Sequence, residues 1–87
     1  MIKDVYYYPR FKKSLRKLEV SKRREFEKNL ALFIKNPFDP RLNTHKLKGK
    51  FKGFWSFSVT YADRVVFEFL PEHSAGFVDV GPHNIYE

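Results

Sequence analysis

Gly53-Phe54-Trp55-Ser56-Phe57-Ser58-Val59-Thr60-Tyr61, followed after Ala62-Asp63 by Arg64-Val65-Val66-Phe67-Glu68-Phe69-Leu70, is the stretch on which the fold turns. Large apolar groups recur at every second position, the period of a strand with one buried and one wet face. The first run puts Trp55, Phe57, Val59 and Tyr61 on one face and Phe54, Ser56, Ser58 and Thr60 on the other. The second puts Val65, Phe67 and Phe69 inward, with Arg64, Val66 and Glu68 opposite. Ala62-Asp63 is too short for anything but a tight turn, so the two runs pair antiparallel. After the turn residues 71–76, Phe77–Val80 reads as a last strand, with Val78 and Val80 inward and Phe77 and Asp79 outward.

Upstream the period changes to that of a helix. Phe11, Leu15 and Leu18 make one apolar stripe behind Pro9, a residue suited to the first helical turn because its missing N–H has no intrahelical partner there. Ser21 reads as the N-cap of a second helix whose apolar face is Phe26, Leu30, Phe33 and Ile34. Asn36-Pro37 ends that helix, because the residue before proline avoids helical backbone angles. Ile2–Tyr8, β-branched and aromatic, is a further strand. The expected architecture is α+β: an N-terminal strand, a helical hairpin, then a three-strand antiparallel meander. The helices lie on one face of a four-stranded sheet, and residues 1–87 form one domain.

Ten Phe, five Tyr and one Trp supply the core that so short a chain needs. There is no cysteine, so disulfides and thiolate metal sites are excluded. No metal site or cofactor is expected from the motifs. The N-terminus lacks the order of a signal peptide, and no apolar run is long enough to span a bilayer, so a whole, soluble, cytoplasmic protein is expected. The net charge of +7 is polarised. Residues 1–53 carry 16 Lys/Arg against 5 Asp/Glu, and residues 54–87 carry one Arg against five acids. A cationic patch of this kind steers and holds phosphates by releasing counterions, and its expected partner is a polyanion, foremost RNA. For any single lysine a solvated helix face is the simpler reading.

Chemistry-bearing residues are sparse. His45 opens the basic run Thr44–Gly53, His83 follows the last strand, and His73 sits in a turn and reads as idle. Taken alone, His45 and His83 read as loop and tail residues. Arg64 is the one cation after residue 53. It either pairs with Asp63, Glu68 or Asp79, or clamps a phosphate in bidentate fashion. Regular hairpins bring Arg64 and His83 to the same end of the sheet.

Four pieces taken in order, His45-Lys46-Leu47-Lys48-Gly49, Gly53-Phe54-Trp55-Ser56, Tyr61-Ala62-Asp63-Arg64-Val65-Val66-Phe67 and Asp79-Val80-Gly81-Pro82-His83, resemble the RelE/ParE superfamily of bacterial type II toxins. The likeness is to the RelE-like, YoeB-like and YafQ-like mRNA interferases. It extends over nearly the whole chain and implies a ribosome-dependent endoribonuclease. Such an enzyme cuts mRNA in the A site of the 30S subunit by 2′-OH attack on the adjacent phosphate, and a cognate antitoxin silences it. By position, His45 corresponds to the general base, Arg64 to the arginine that stabilises the transition state, and His83 to the general acid. An ordinary imidazole titrates near 6.5 and suits either proton-transfer role. Lys48, Lys50 and Lys52 correspond to phosphate contacts and Tyr86 to a base-stacking aromatic, while the parity of Trp55 assigns it to the core. Two positions depart from the family pattern: Ser58 and Asp79 stand where relatives carry arginine, and Asp79 is expected to repel a phosphate. ParE-like members, which act on DNA gyrase and lack the catalytic set, share the fold and the charge. A plain RNA- or DNA-binding module also fits the charge.

Overall fold

The computed structural model describes the backbone of residues 1–86 and the side chains of residues 1–85. Its elements are β1 (Asp4–Tyr7), α1 (Pro9–Lys17), α2 (Val20–Lys35), β2 (His45–Lys46), β3 (Trp55–Ser58), β4 (Asp63–Leu70) and β5 (Ser74–Pro82). Short 3-10 turns cover Pro40–Leu42, Gly49–Phe51 and His83–Tyr86. The sheet has five strands, not four, in the order β1-β5-β4-β3-β2. The additional strand is β2, where His45 pairs with Ser56 and Lys46 with Trp55. Two residues between Thr44 and Leu47 are too few to give an alternating signal. β1 runs parallel to β5, and the other pairings are antiparallel.

Both helices pack their aromatic residues on one face of this sheet. Phe11 from α1 and Phe26 and Phe33 from α2 meet Phe57, Phe67 and Phe77 from the strands, all essentially without solvent contact. Phe77 sits at the centre, with ring centroids 5.3 Å from Phe33, 5.4 Å from Phe11 and 5.6 Å from Phe57. Edge-on and tilted ring pairs dominate, the arrangement that ring quadrupoles favour. Among the described residues no helix is long and apolar enough to cross a membrane.

Several expectations are corrected. Phe77 points inward, because the pairing of β4 with β5 slips by one residue between Val66 and Phe67. Val66 faces Asp79 but Phe67 faces Phe77, so Val78 is the extra residue of a bulge. The bulge restores parity for Val80, which is also buried. Tyr61 is 87% exposed. β3 ends at Ser58, and Val59 N and Thr60 N both donate to Asp63 O, which leaves Tyr61 at the tip of the turn. Ser21 does not cap α2. The link between the helices is only Leu18-Glu19, so Glu19 takes the cap position and Ser21 falls within the first turn. Ile34 is 38% exposed and lies off the buried face.

Candidate functional site

Residues directly opposite one another in a ladder share a face, so the register fixes which side chains stand together. The rung Ser58–Arg64–Gly81 lies on the face away from the helices, and the rung His45–Ser56–Val66 lies on the same face. Ser56 and Val66 are buried there, with the Ser56 hydroxyl lacking a hydrogen-bond partner among the described residues. The accessible parts of this face are therefore the His45 edge and the end carrying Ser58 and Arg64.

Arg64 is half-buried, and one guanidinium nitrogen, Nη1, donates to Ser58 Oγ and to Thr60 O at 3.1 Å. None of the three carboxylates proposed as its partners is spent on it. Asp63 Oδ2 accepts from Thr60 Oγ1 at 2.7 Å and pairs with Lys22 Nζ at 3.2 Å. Glu68 accepts from the Tyr8 hydroxyl at 2.9 Å. Asp79 pairs with Arg10 Nε at 3.0 Å and accepts from Ser14 Oγ and Val80 N. The ion-pair alternative is thereby removed among the described residues. Asp79 is 8% exposed and bound to α1, so it is not the bare anion expected on the polar face. Its charge is matched by Arg10.

His83 is brought beside Arg64. Its backbone N–H donates to Ala62 O at 3.0 Å and extends the β4–β5 ladder one step past Pro82. Counting rungs, the Cα atoms of Arg64 and His83 are about 8 Å apart. Behind His83 the chain folds back, and Ile85 packs on Gly81, where an added Cβ would sit 3.1 Å from Ile85 Cγ2.

His45 stands on the other side, two strands from Arg64, with Cα atoms about 12 Å apart by the same count. It is exposed, and its Nδ1 lies 2.9 Å from Asn43 O. A carbonyl oxygen only accepts, so in the neutral ring Nδ1 carries the proton and Nε2 keeps its lone pair. That is the protonation a general base requires. His45 and His83 approach Arg64 from opposite flanks, about 20 Å apart at Cα in a flat sheet. The twist of the sheet has to shorten that span before both rings touch one phosphate.

Lys48, Lys50 and Lys52 are exposed in the loop from β2 to β3, at the end of β3 remote from Arg64. The side chain of Tyr86 lies outside the described residues. His73 is exposed in the β4–β5 turn. Trp55 is half-buried, edge-on to Phe38 and Phe69.

The sequence reading missed the group that fixes Arg64 in place. From α2, Asn29 Nδ2 donates to Ser58 O at 2.7 Å and Val59 O at 3.2 Å, and Lys22 reaches the buried Asp63. Thr60 Oγ1 accepts from Ala62 N and Asp63 N. These contacts tie the 58–63 turn to a helix some thirty residues upstream, a relation that no local spacing reveals.

No protein-family model matches the chain, and no curated protein matches it. Solved structures do. A YoeB/ParE toxin from Agrobacterium tumefaciens superposes with a TM-score of 0.79 at 14% identity, covering 93% of this chain and 99% of that one. A copper-bound mutant toxin from Helicobacter pylori gives 0.68 at 25% identity, with all of both chains covered. The E. coli DinJ-YafQ toxin-antitoxin complex gives 0.70 at 20%, covering 98% of this chain and 97% of that chain. The chain has the fold of the RelE/ParE-superfamily type II toxins.

Proposed function

We propose that this chain is the toxin of a type II toxin–antitoxin pair and an endoribonuclease that cuts mRNA on the ribosome, in the cytoplasm. The observation that carries the reading is a guanidinium with no carboxylate partner among the described residues, beside a histidine at one end of an open sheet face. In this mechanism His45 Nε2 takes the proton of a ribose 2′-OH. The oxygen attacks the adjacent phosphorus, and His83 gives a proton to the departing 5′-oxygen. In-line displacement puts nucleophile and leaving group on opposite sides of phosphorus, and the histidines flank Arg64 in that sense. Arg64 takes up the charge that grows on the phosphoryl oxygens. Ser58 in place of a second arginine leaves Arg64 the principal cation at this centre. Lys48, Lys50 and Lys52 hold phosphates further along the strand, and Tyr86 stacks a base. The partner expected is an antitoxin, by analogy with the toxin-antitoxin complex above.

The test is cleavage of mRNA on programmed ribosomes by the wild type and by Arg64→Ala, His83→Ala and His45→Ala. Each variant should lose at least about tenfold in rate, since positioned acids, bases and charge stabilisers contribute roughly 10²–10⁴. Wild-type protein that leaves mRNA intact while it poisons DNA gyrase would overturn the nuclease reading in favour of ParE-like action.

A further inference from the structure

The loop between β2 and β3 encloses a cleft of about 450 Å³ that the catalytic reading does not use. Lys46, Lys48 and Lys52 stand at its edge, and Leu47, Phe54 and Trp55 form apolar walls. Gly49 and Gly53, both at positive φ, complete the lining, and a Cβ added at either would meet nothing within 4 Å. The indole is held by edge-on contacts with Phe38 and Phe69, centroids 5.5 and 5.2 Å away, and Lys46 Nζ lies 5.5 Å from its ring centre. Among the described residues no acidic one lines the cleft.

From this geometry we infer that the cleft binds one unstacked nucleotide of a single-stranded RNA, the base against Trp55 and Phe54 and the phosphate among the lysines. The inference rests on the nuclease reading for its substrate class, and extends it to a second subsite. Two considerations select the occupant. The volume lies in the range of small-ligand sites, which are mostly apolar with a few polar groups that orient the ligand. A rim carrying only positive charge asks for an anion, and aromatic walls ask for a planar ring; a nucleotide is both.

Trp55 is the only tryptophan, so its fluorescence reports the cleft directly. The experiment titrates the full chain, without ribosomes, with hexaadenylate RNA, with inorganic polyphosphate as a base-free polyanion, and with an acidic peptide. RNA should quench Trp55. Lys48→Ala and Lys52→Ala should each weaken that binding about 3–10-fold and lower the salt slope by roughly one unit or less, as loss of a phosphate contact does. Polyphosphate should leave the emission largely unchanged. Arg64→Ala should lose cleavage on ribosomes while RNA still quenches its Trp55. Absence of quenching by RNA, or quenching that neither lysine substitution weakens, overturns the inference. Equal quenching by polyphosphate makes this an anion site without a base pocket and also overturns it. Quenching by the acidic peptide alone makes it a protein-docking surface. Quenching with no ribosomal cleavage leaves the cleft standing and removes the nuclease reading. Cleavage with no quenching does the reverse.

Discussion

Replacing Lys22 with methionine tests whether α2 positions Arg64. Asp63 is 2% exposed, and its carboxylate has two side-chain partners, the Thr60 hydroxyl and the Lys22 ammonium. Lys22→Met keeps the aliphatic stem and removes only the charge. Stripping one partner from a fully buried ion pair costs about 3–5 kcal/mol, because the other charge stays behind uncompensated. The Lys22 side chain is 38% exposed, so solvent already screens part of that attraction. A loss of roughly 1–3 kcal/mol is the discounted figure. For a domain of this size it lowers Tm by about 5–15 °C. Asp63→Asn removes the charge that Lys22 balanced, and its amide oxygen still accepts from Thr60. Lys22→Met combined with Asp63→Asn should therefore cost less than the two single changes added. Urea and thermal unfolding of the four proteins gives the coupling, expected at about 1–2 kcal/mol for partners in contact. In the nuclease assay Lys22→Met should lower kcat with little change in KM, because Arg64 loses its bearing while the lysine loop that holds substrate is untouched. Single changes that cost under about 0.5 kcal/mol and add without coupling would refute the reasoning, since independent sites behave that way.

Gly76→Ala should destabilise by about 1–3 kcal/mol, the cost of overpacking. A Cβ there would fall 2.1 Å from the Tyr8 hydroxyl oxygen and push the phenol off Glu68; a denaturation midpoint equal to wild type would count against it. Gly81→Ala should barely move the midpoint, by under about 1 kcal/mol, because the added Cβ meets a single atom, the Ile85 Cγ2 methyl, which has to give way by a few tenths of an ångström. It should nonetheless slow cleavage by shifting His83, and unchanged kinetics would mean that Ile85 does not seat that histidine. On the acid side, the side-chain hydrogen bond from Arg41, with its backbone N–H, holds the Asp39 carboxyl down to about 2 from an ordinary 3.8. Since the folded value is the lower one, this contribution is complete above the ordinary value and disappears as pH falls toward 2. An NMR titration of Asp39 with a midpoint near 4 would contradict the arrangement that caps the Pro40–Leu42 turn.

The sequence by itself determined the order of most elements, the pairing of the two aromatic strands, the aromatic core and the polarity of charge. Each of these is written in local periods: two residues for Trp55 to Val59 and Val65 to Phe69, three and four for Phe11 to Leu18. Even Arg64 and His83 were legible as neighbours, because short hairpins leave few ways to connect the strands. Tertiary structure alone decided four further things. The bulge at Val78 turned Phe77 into the core, since a one-residue slip in pairing reverses every side chain on one side of it. The two-residue strand at His45 is held by its partner β3, not by its own pattern. The carboxylates of Asp63, Glu68 and Asp79 found other donors, on α2, at Tyr8 and on α1, and Arg64 was left without an acid among the described residues. Last, the lysine loop closed against Trp55 to form a cleft. All four are contacts between residues that no short period relates, and closing such contacts takes the packed sheet and helices that bring distant segments together.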